Sequence, residues 1–185
     1  MTEKLPLNPE ERDGLHSIET DRLRLRLLRD SDVENLAALF ADPNVMRYVG
    51  NGRPCDRIEA ERALASIIAH WHRHGFGRWA IEEKDSREFI GYGGLRSLFG
   101  TPEVVYHLAT RHWGKGYATE MARAFLKFGF DVKRFGRIVA IAKPGNAASI
   151  NVMKKLGMHF EMQTSYYDME VIQYAITADE FESSR

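Results

Sequence analysis

The chain has 185 residues, enough for one domain with a sizeable core. Lys+Arg number 26 and Asp+Glu 26, a balance that excludes a generic nucleic-acid binder; 44% hydrophobic residues with 28% charged excludes a disordered chain. One cysteine, Cys55, excludes an intrachain disulfide and a cysteine metal cluster. The first residues are polar with two prolines, neither signal peptide nor membrane span, and no apolar run reaches membrane length. A cytoplasmic chain with no metal, nucleic-acid or membrane partner is expected.

The neutral total hides an uneven distribution. Residues 1–110 carry 15 basic and 18 acidic side chains, residues 111–155 carry 10 and 2, and residues 156–185 carry 1 and 6. A middle segment of net +8 inside a neutral chain fits a local anionic ligand, and equally a solvated basic helix face.

In chain order, a tail over 1–17 precedes a strand in which Leu23, Leu25 and Leu27 alternate with Arg22, Arg24 and Arg26, the period of a half-buried strand. Ser31 with Glu34 reads as a capping box for a helix through Leu36, Leu39 and Phe40. A second helix over 56–74 carries Leu64, Ile67, Ile68 and Trp71 on one stripe and stops at Gly75. Strands over 79–83 and 88–95 flank a polar turn and form a hairpin. A strand over 103–109 puts Val104, Tyr106 and Leu108 on one face. The next helix buries Tyr117, Met121, Phe125 and Phe128, and is followed by a short strand over 138–142. A helix then runs from about Asn146 to Gly157, before strands near 159–163 and 171–176 and a tail over 177–185. This order describes one α+β domain with a mixed sheet and no internal repeat.

The strongest local signal is the strand, then Arg111-His112-Trp113-Gly114-Lys115-Gly116-Tyr117-Ala118, then the helix. Two glycines let the backbone turn and approach a ligand closely. Unpaired amides of the turn and first helical turn, with the positive end of the helix dipole behind them, make a phosphate cradle. A plain strand-to-helix turn uses the same residues. A dinucleotide fingerprint is excluded because Thr119 stands where its third glycine is required, and a P-loop ending is absent.

Arg111, Gly114 and Gly116 match the signature of the GNAT superfamily of acyl-CoA-dependent N-acetyltransferases. TDRLRLR, WAIEEKDSREFIGYGGL, EVVYHLATRHWGKGYATE and NAASINVMKKLGM follow that family's order over about residues 18–176. The chain resembles its ribosomal-protein N-terminal acetyltransferase branch. The resemblance implies a single GNAT-like domain with a mixed, mostly antiparallel sheet, flanked by helices and splayed between two central strands. It also implies acetyl transfer from acetyl-CoA to a primary amine, on a protein N-terminus or a small molecule, with a homodimer as an allowed assembly. The coenzyme's arm pairs with backbone near Leu108. Amides of His112, Gly114, Lys115, Gly116, Tyr117 and Ala118 hold the pyrophosphate after Arg111, and Asn146 and Ser149 face the cofactor. Asn146 also suits a helix N-cap.

Acetylating an amine of pKa about 10.4 needs a base. The resemblance points to Glu103, with His107 second. Met153 stands at the family's usual tyrosine acid, and a thioether donates no proton; Ser149 is the substitute. Met153 is also the feature that favours a non-catalytic acyl-CoA-binding or sensing domain, and an acyl group larger than acetyl is a further alternative. His70, His72 and His74 read as helix-end polar residues rather than a metal site, with Trp71 or His74 able to touch an acceptor. Stretches 44–56, 98–103 and 163–168 are expected to line the acceptor's entrance.

Overall fold

The computed structural model of the protein describes residues 17–166 and 168–184, so the tail expected over 1–17 lies almost wholly outside the described residues. β1 (Ile18–Glu19) and β2 (Leu23–Leu27) lead to a 3-10 turn (Asp30–Asp32), α1 (Val33–Ala41), the single-turn α2 (Pro43–Met46) and α3 (Arg57–His74). β3 (Arg78–Glu83), β4 (Phe89–Leu98) and β5 (Thr101–Leu108) follow as an antiparallel meander. After the glycine turn come α4 (Tyr117–Lys127), a π-helical turn (Phe128–Val132), β6 (Arg137–Ala142) and α5 (Ala147–Lys155). β7 (His159–Tyr166), β8 (Met169–Thr177) and α6 (Ala178–Ser183) close the fold.

The eight strands form one sheet in the order β1-β2-β3-β4-β5-β6-β8-β7. All neighbours are antiparallel except β5 and β6. This is the α+β class read from the sequence. Helices cover both faces because each face of the central strands is apolar. On one face Leu23, Leu25, Trp79, Leu95 and Val104 pack on Met121 and Phe125 of α4, with Trp79 stacked parallel on Phe125 at 5.5 Å. On the other, Ala80 and Tyr92 pack beneath Leu36, Leu39 and Phe40 of α1 and Leu64 and Ile67 of α3.

Three local expectations change. Leu27 is only half-buried, whereas Arg26 is buried in bidentate contact with Asp32 (2.7 and 2.8 Å) and bonded to Glu82 (2.6 Å). Two carboxylates, Asp32 from the turn that follows the strand and Glu82 from β3, keep that arginine charged under α1. The Ser31 capping box does not form. Ser31 is exposed, and Asp32, whose carboxylate accepts from the Arg29 N–H at 2.8 Å, precedes the helix instead. Burial works against the charged Asp32, yet the hydrogen bonds from Arg26 and Arg29 outweigh it and hold its carboxyl below the ordinary range. The tail expected over 177–185 instead holds α6, capped by Thr177, with Phe181 buried against Phe130 at 5.2 Å.

Other helix ends match their chemistry. Asp56 and Glu59 form a capping box at α3, and Gly75 stops it in the left-handed conformation. No helix among the described residues is long and apolar enough to cross a membrane.

Candidate active site

The site begins with a seam in the sheet. β5 is held to β4 by eight residue pairs and β6 to β8 by six, but β5 and β6 share one, Glu103 with Val139. Beyond that pair the two strands diverge. The Ala109 N–H donates to Ile90 O at 2.9 Å, and antiparallel alternation then turns the main chain of Glu103, Val105 and His107 toward β4. The main-chain groups of Val104, Tyr106 and Leu108 therefore point into the gap. The Leu108 carbonyl already accepts from Trp113 Nε1 at 2.8 Å, so the pairing expected there is left to its N–H and to Tyr106.

At the wide end of the gap lies the glycine turn. A 3-10 turn (Thr110–His112) leads into Gly114 and Gly116, at φ +74° and +84°, and α4 starts at Tyr117. A Cβ built on Gly114 meets nothing within 4 Å, and one on Gly116 meets only the end of the Arg22 side chain at 3.4 Å. Positive φ requires glycine here, and the space in front of both is open. Arg22, which the sequence did not single out for this role, braces the turn from the sheet edge. It donates to Lys115 O at 2.9 Å, pairs with Glu120 at 2.6 Å and lies 4.5 Å over the Tyr117 ring. Tyr117 in turn donates to Glu83. Ala118 occupies the first helical turn, half-buried. His112 is buried, its Nε2 3.5 Å from Glu88 and neither ring nitrogen hydrogen-bonded.

The basic excess of 111–155 is not all aimed at this turn. Arg111 is paired with Glu88, Lys127 with Asp131 and Arg137 with Glu161, which leaves Lys115 as the basic side chain within the turn itself. Counting charge along the chain cannot see partners that arrive from other strands.

Glu103, at the closed end, is not a solvated strand end. Only 1% of its side chain is exposed, and it accepts from Arg96 Nε at 2.5 Å. Burial raises its pKa above the ordinary glutamate value, against the opposing pull of Arg96 and Arg78. His107 projects from the same face and stacks on Tyr92 at 4.8 Å. Burial and the two arginines push it down to about 3, so it is a neutral imidazole at physiological pH and a poor base.

On the opposite face Tyr106 reaches across the seam to α5. Its hydroxyl lies 2.9 Å from Ser149 Oγ and donates to Ser149 O at 3.2 Å; burial pushes it up to about 12. Asn146 caps α5 by accepting from the Ser149 N–H at 3.1 Å, which fixes where Ser149 stands. Met153 is buried in the core. Alternation placed Tyr106 on its correct face, but its partner on α5 lies 43 residues away and leaves no local mark.

Of the α3 histidines, His70 does structural work. His70 Nε2 accepts from the Ser97 N–H at 3.2 Å, so its Nδ1 carries the proton toward Phe76 O at 2.9 Å. Trp71 donates to Arg78 O and packs edge-on against Trp79, while His74 is exposed. Phe99, in the β4–β5 turn, stacks on Tyr166 at 5.8 Å, which brings together two of the three stretches expected at the entrance. Among the described residues no group of three or more His, Cys, Asp or Glu is placed to hold a metal.

Residues 22–159 match the family model of the acetyltransferase (GNAT) domain. The chain belongs to the GNAT acetyltransferase family. It is therefore an acyltransferase, and its splayed sheet is the family's. The Bacillus subtilis protein YkkB is 35% identical over 165 residues, covering 84% of this chain and 92% of that protein. The ribosomal protein uS5-alanine N-acetyltransferase of Escherichia coli is 24% identical over 77% of each chain, in keeping with the branch read from the sequence. Spermidine N-acetyltransferase from Vibrio cholerae, solved with CoA and spermine, has the same fold at a TM-score of 0.74. It is 19% identical, covering 88% of this chain and 99% of that one.

Proposed function

We propose that this GNAT enzyme transfers acetyl from acetyl-CoA directly to a primary amine, with Glu103 as base and Ser149 as proton donor. The observation that carries the reading is the single β5–β6 pair at Glu103. From Leu108 back to Glu103 the strand spans about 17 Å at about 3.3 Å per residue. A ligand anchored by phosphates at the glycine turn thus runs along an open main-chain edge and ends at a buried carboxylate. The solved spermidine enzyme, with CoA bound in the same fold, supports the same choice of donor.

Acetyl-CoA supplies the acyl group already activated as a thioester. The residues present fit it with one correction: the His112 N–H expected in the cradle already donates to Ala109 O at 2.9 Å, which leaves the amides of Gly114, Lys115, Gly116, Tyr117 and Ala118 around the open space before the two glycines, and Leu108, Asn146 and Ser149 along the arm. Arg111 fixes the start of the turn through Glu88. Binding two reactants along one edge supplies proximity, and main-chain N–H groups in the gap polarise the acyl carbonyl. Glu103 Oε2 is held by Arg96, so Oε1 is the atom that takes the proton from the amine. Burial makes it a stronger base than an exposed glutamate. Ser149, hydrogen-bonded to Tyr106, donates toward the departing sulfur in place of the tyrosine that Met153 replaces.

The test has two readouts. Acetyl-CoA at a hundredfold excess over its Kd stabilises the fold by about 2.7 kcal/mol, and amine addition then releases free thiol. No thermal shift at saturating acetyl-CoA would sink the reading.

A further inference from the structure

The face of the sheet beneath α3 carries a polar cluster in which, among the described residues, one guanidinium has no carboxylate partner. Register places Arg78, Gly94 and Val105 in one row, with Arg96–Glu103 on one side and Tyr92–His107 on the other. With no side chain at Gly94, the half-buried Arg78 guanidinium reaches the Tyr92 hydroxyl and feels Arg96 and Glu103. Among the described residues no carboxylate lies within ion-pair range of Arg78. Glu103, the carboxylate of the cluster, is taken by Arg96 at 2.5 Å. His107 adds a ring whose buried Nδ1 has no hydrogen-bond partner. Asp56 and Glu59, which act on Cys55 near Tyr92, already hold the capping box of α3. Among the described residues the cluster thus sets two guanidinium groups and an imidazole around one carboxylate, and Arg78 is the guanidinium with no carboxylate beside it. It lies at the Glu103 end of the gap, where the amine must stand.

We propose that the acceptor is a small amine that also carries an oxyanion, a carboxylate or a phosphate, recognised by Arg78 beside Arg96 and His107. This rests on the acetyl-transfer reading and names its substrate class. A planar guanidinium with no carboxylate partner matches either oxyanion in a two-point contact. A polyamine would meet like charge in the same place. The positive field serves the chemistry too, because it favours the neutral form of the incoming amine over its ammonium form.

The full chain is assayed with acetyl-CoA against matched pairs: α-amino acids and their carboxamides, phosphoethanolamine and ethanolamine, with spermidine as the polycation. Thiol release gives kcat/KM, and the further thermal shift beyond acetyl-CoA alone gives binding. At least one oxyanion-bearing member is expected to exceed its neutral twin tenfold or more, by turnover or, where none turns over, by binding. The pair that responds tells carboxylate from phosphate. Arg78→Gln should bring that ratio near one while acetyl-CoA still stabilises the variant, and Arg78→Lys should restore part of it. Neutral twins or spermidine matching or surpassing the oxyanion members, or an unchanged ratio in Arg78→Gln, overturns the proposal. Loss of stabilisation by acetyl-CoA in the unaltered protein would instead strike the acetyl-transfer reading itself.

Discussion

Substituting alanine at Gly114 separates the fold from the ligand. Gly114 sits at φ +74° and a Cβ added there has nothing within 4 Å, so the substitution meets no protein atom. Its cost to the free protein is the left-handed backbone alone, about 1–2 kcal/mol. For a domain of this size each kcal/mol moves Tm by about 2–4 °C, so the unliganded variant should melt about 2–8 °C lower. Acetyl-CoA at a hundredfold excess over Kd stabilises by about 2.7 kcal/mol, roughly a 5–11 °C rise by the same conversion. That rise should vanish in Gly114→Ala, because the methyl group stands where the phosphates approach. Gly100→Ala is the matched control. It has φ +89° and nothing within 4 Å, but lies in the β4–β5 turn. It should lower Tm by a similar amount and keep the ligand's rise. A full rise in Gly114→Ala would refute the cradle, whatever its effect on the free protein.

Three further outcomes follow from the geometry. Glu103→Gln should lower kcat/KM by 10²–10⁴-fold. In the unaltered enzyme the rate should climb with pH through a limb above the ordinary glutamate range, since burial raises the pKa and the base form appears only above it; a limb at ordinary glutamate pH would contradict the assignment. Asp32→Asn leaves Arg26 with Glu82 as its one remaining carboxylate, and should cost about 3 kcal/mol in urea unfolding. Asp32's contribution is present above the unfolded carboxylate pKa and fades as pH falls through the depressed folded value. Tyr106→Phe removes the hydroxyl bonded to Ser149, so kcat should drop about tenfold with little change in acetyl-CoA KM. Its effect should largely disappear in a Ser149→Ala background, and simple additivity there would show that the two hydroxyls do not work together.

What the sequence reveals divides by range. Asp56, Gly75 and the alternation of Leu23 with Leu25 act through neighbours a few residues away, and each stands where local rules put it. So do Gly114 and Gly116, because their backbone requirement is their own. Features set by distant partners were opaque. Arg26 is buried because Asp32 and Glu82 converge on it, and a period of two cannot say which charged residue of a strand will be covered. Arg22 becomes a brace only when β2 lies beside the α4 N-terminus. Strand ends also ran past their local signals: β4 continues through Ser97 to Leu98 and β5 begins at Thr101, since pairing across the Phe99–Gly100 turn overrides weak alternation.

The seam itself has a mechanical origin. β5 belongs to a half-sheet tied by eight pairs to β4, and β6 to a half-sheet tied by six pairs to β8, each with its own helix packing. Two rigid, twisted halves joined through one parallel pair at Glu103 and Val139 must part as they leave it. An ordinary parallel pair would satisfy those main-chain groups along its whole length. Here the same groups stay available to a ligand, and the one ladder pair that joins the halves lies where a carboxylate is buried against Arg96. The gap and the raised basicity of Glu103 thus share a cause: the vertex that starts the splay is itself buried, with Glu103 and Val139 each 1% exposed. Loosening either half should therefore disturb base and cofactor edge together, whereas Gly114 disturbs the edge's far end alone.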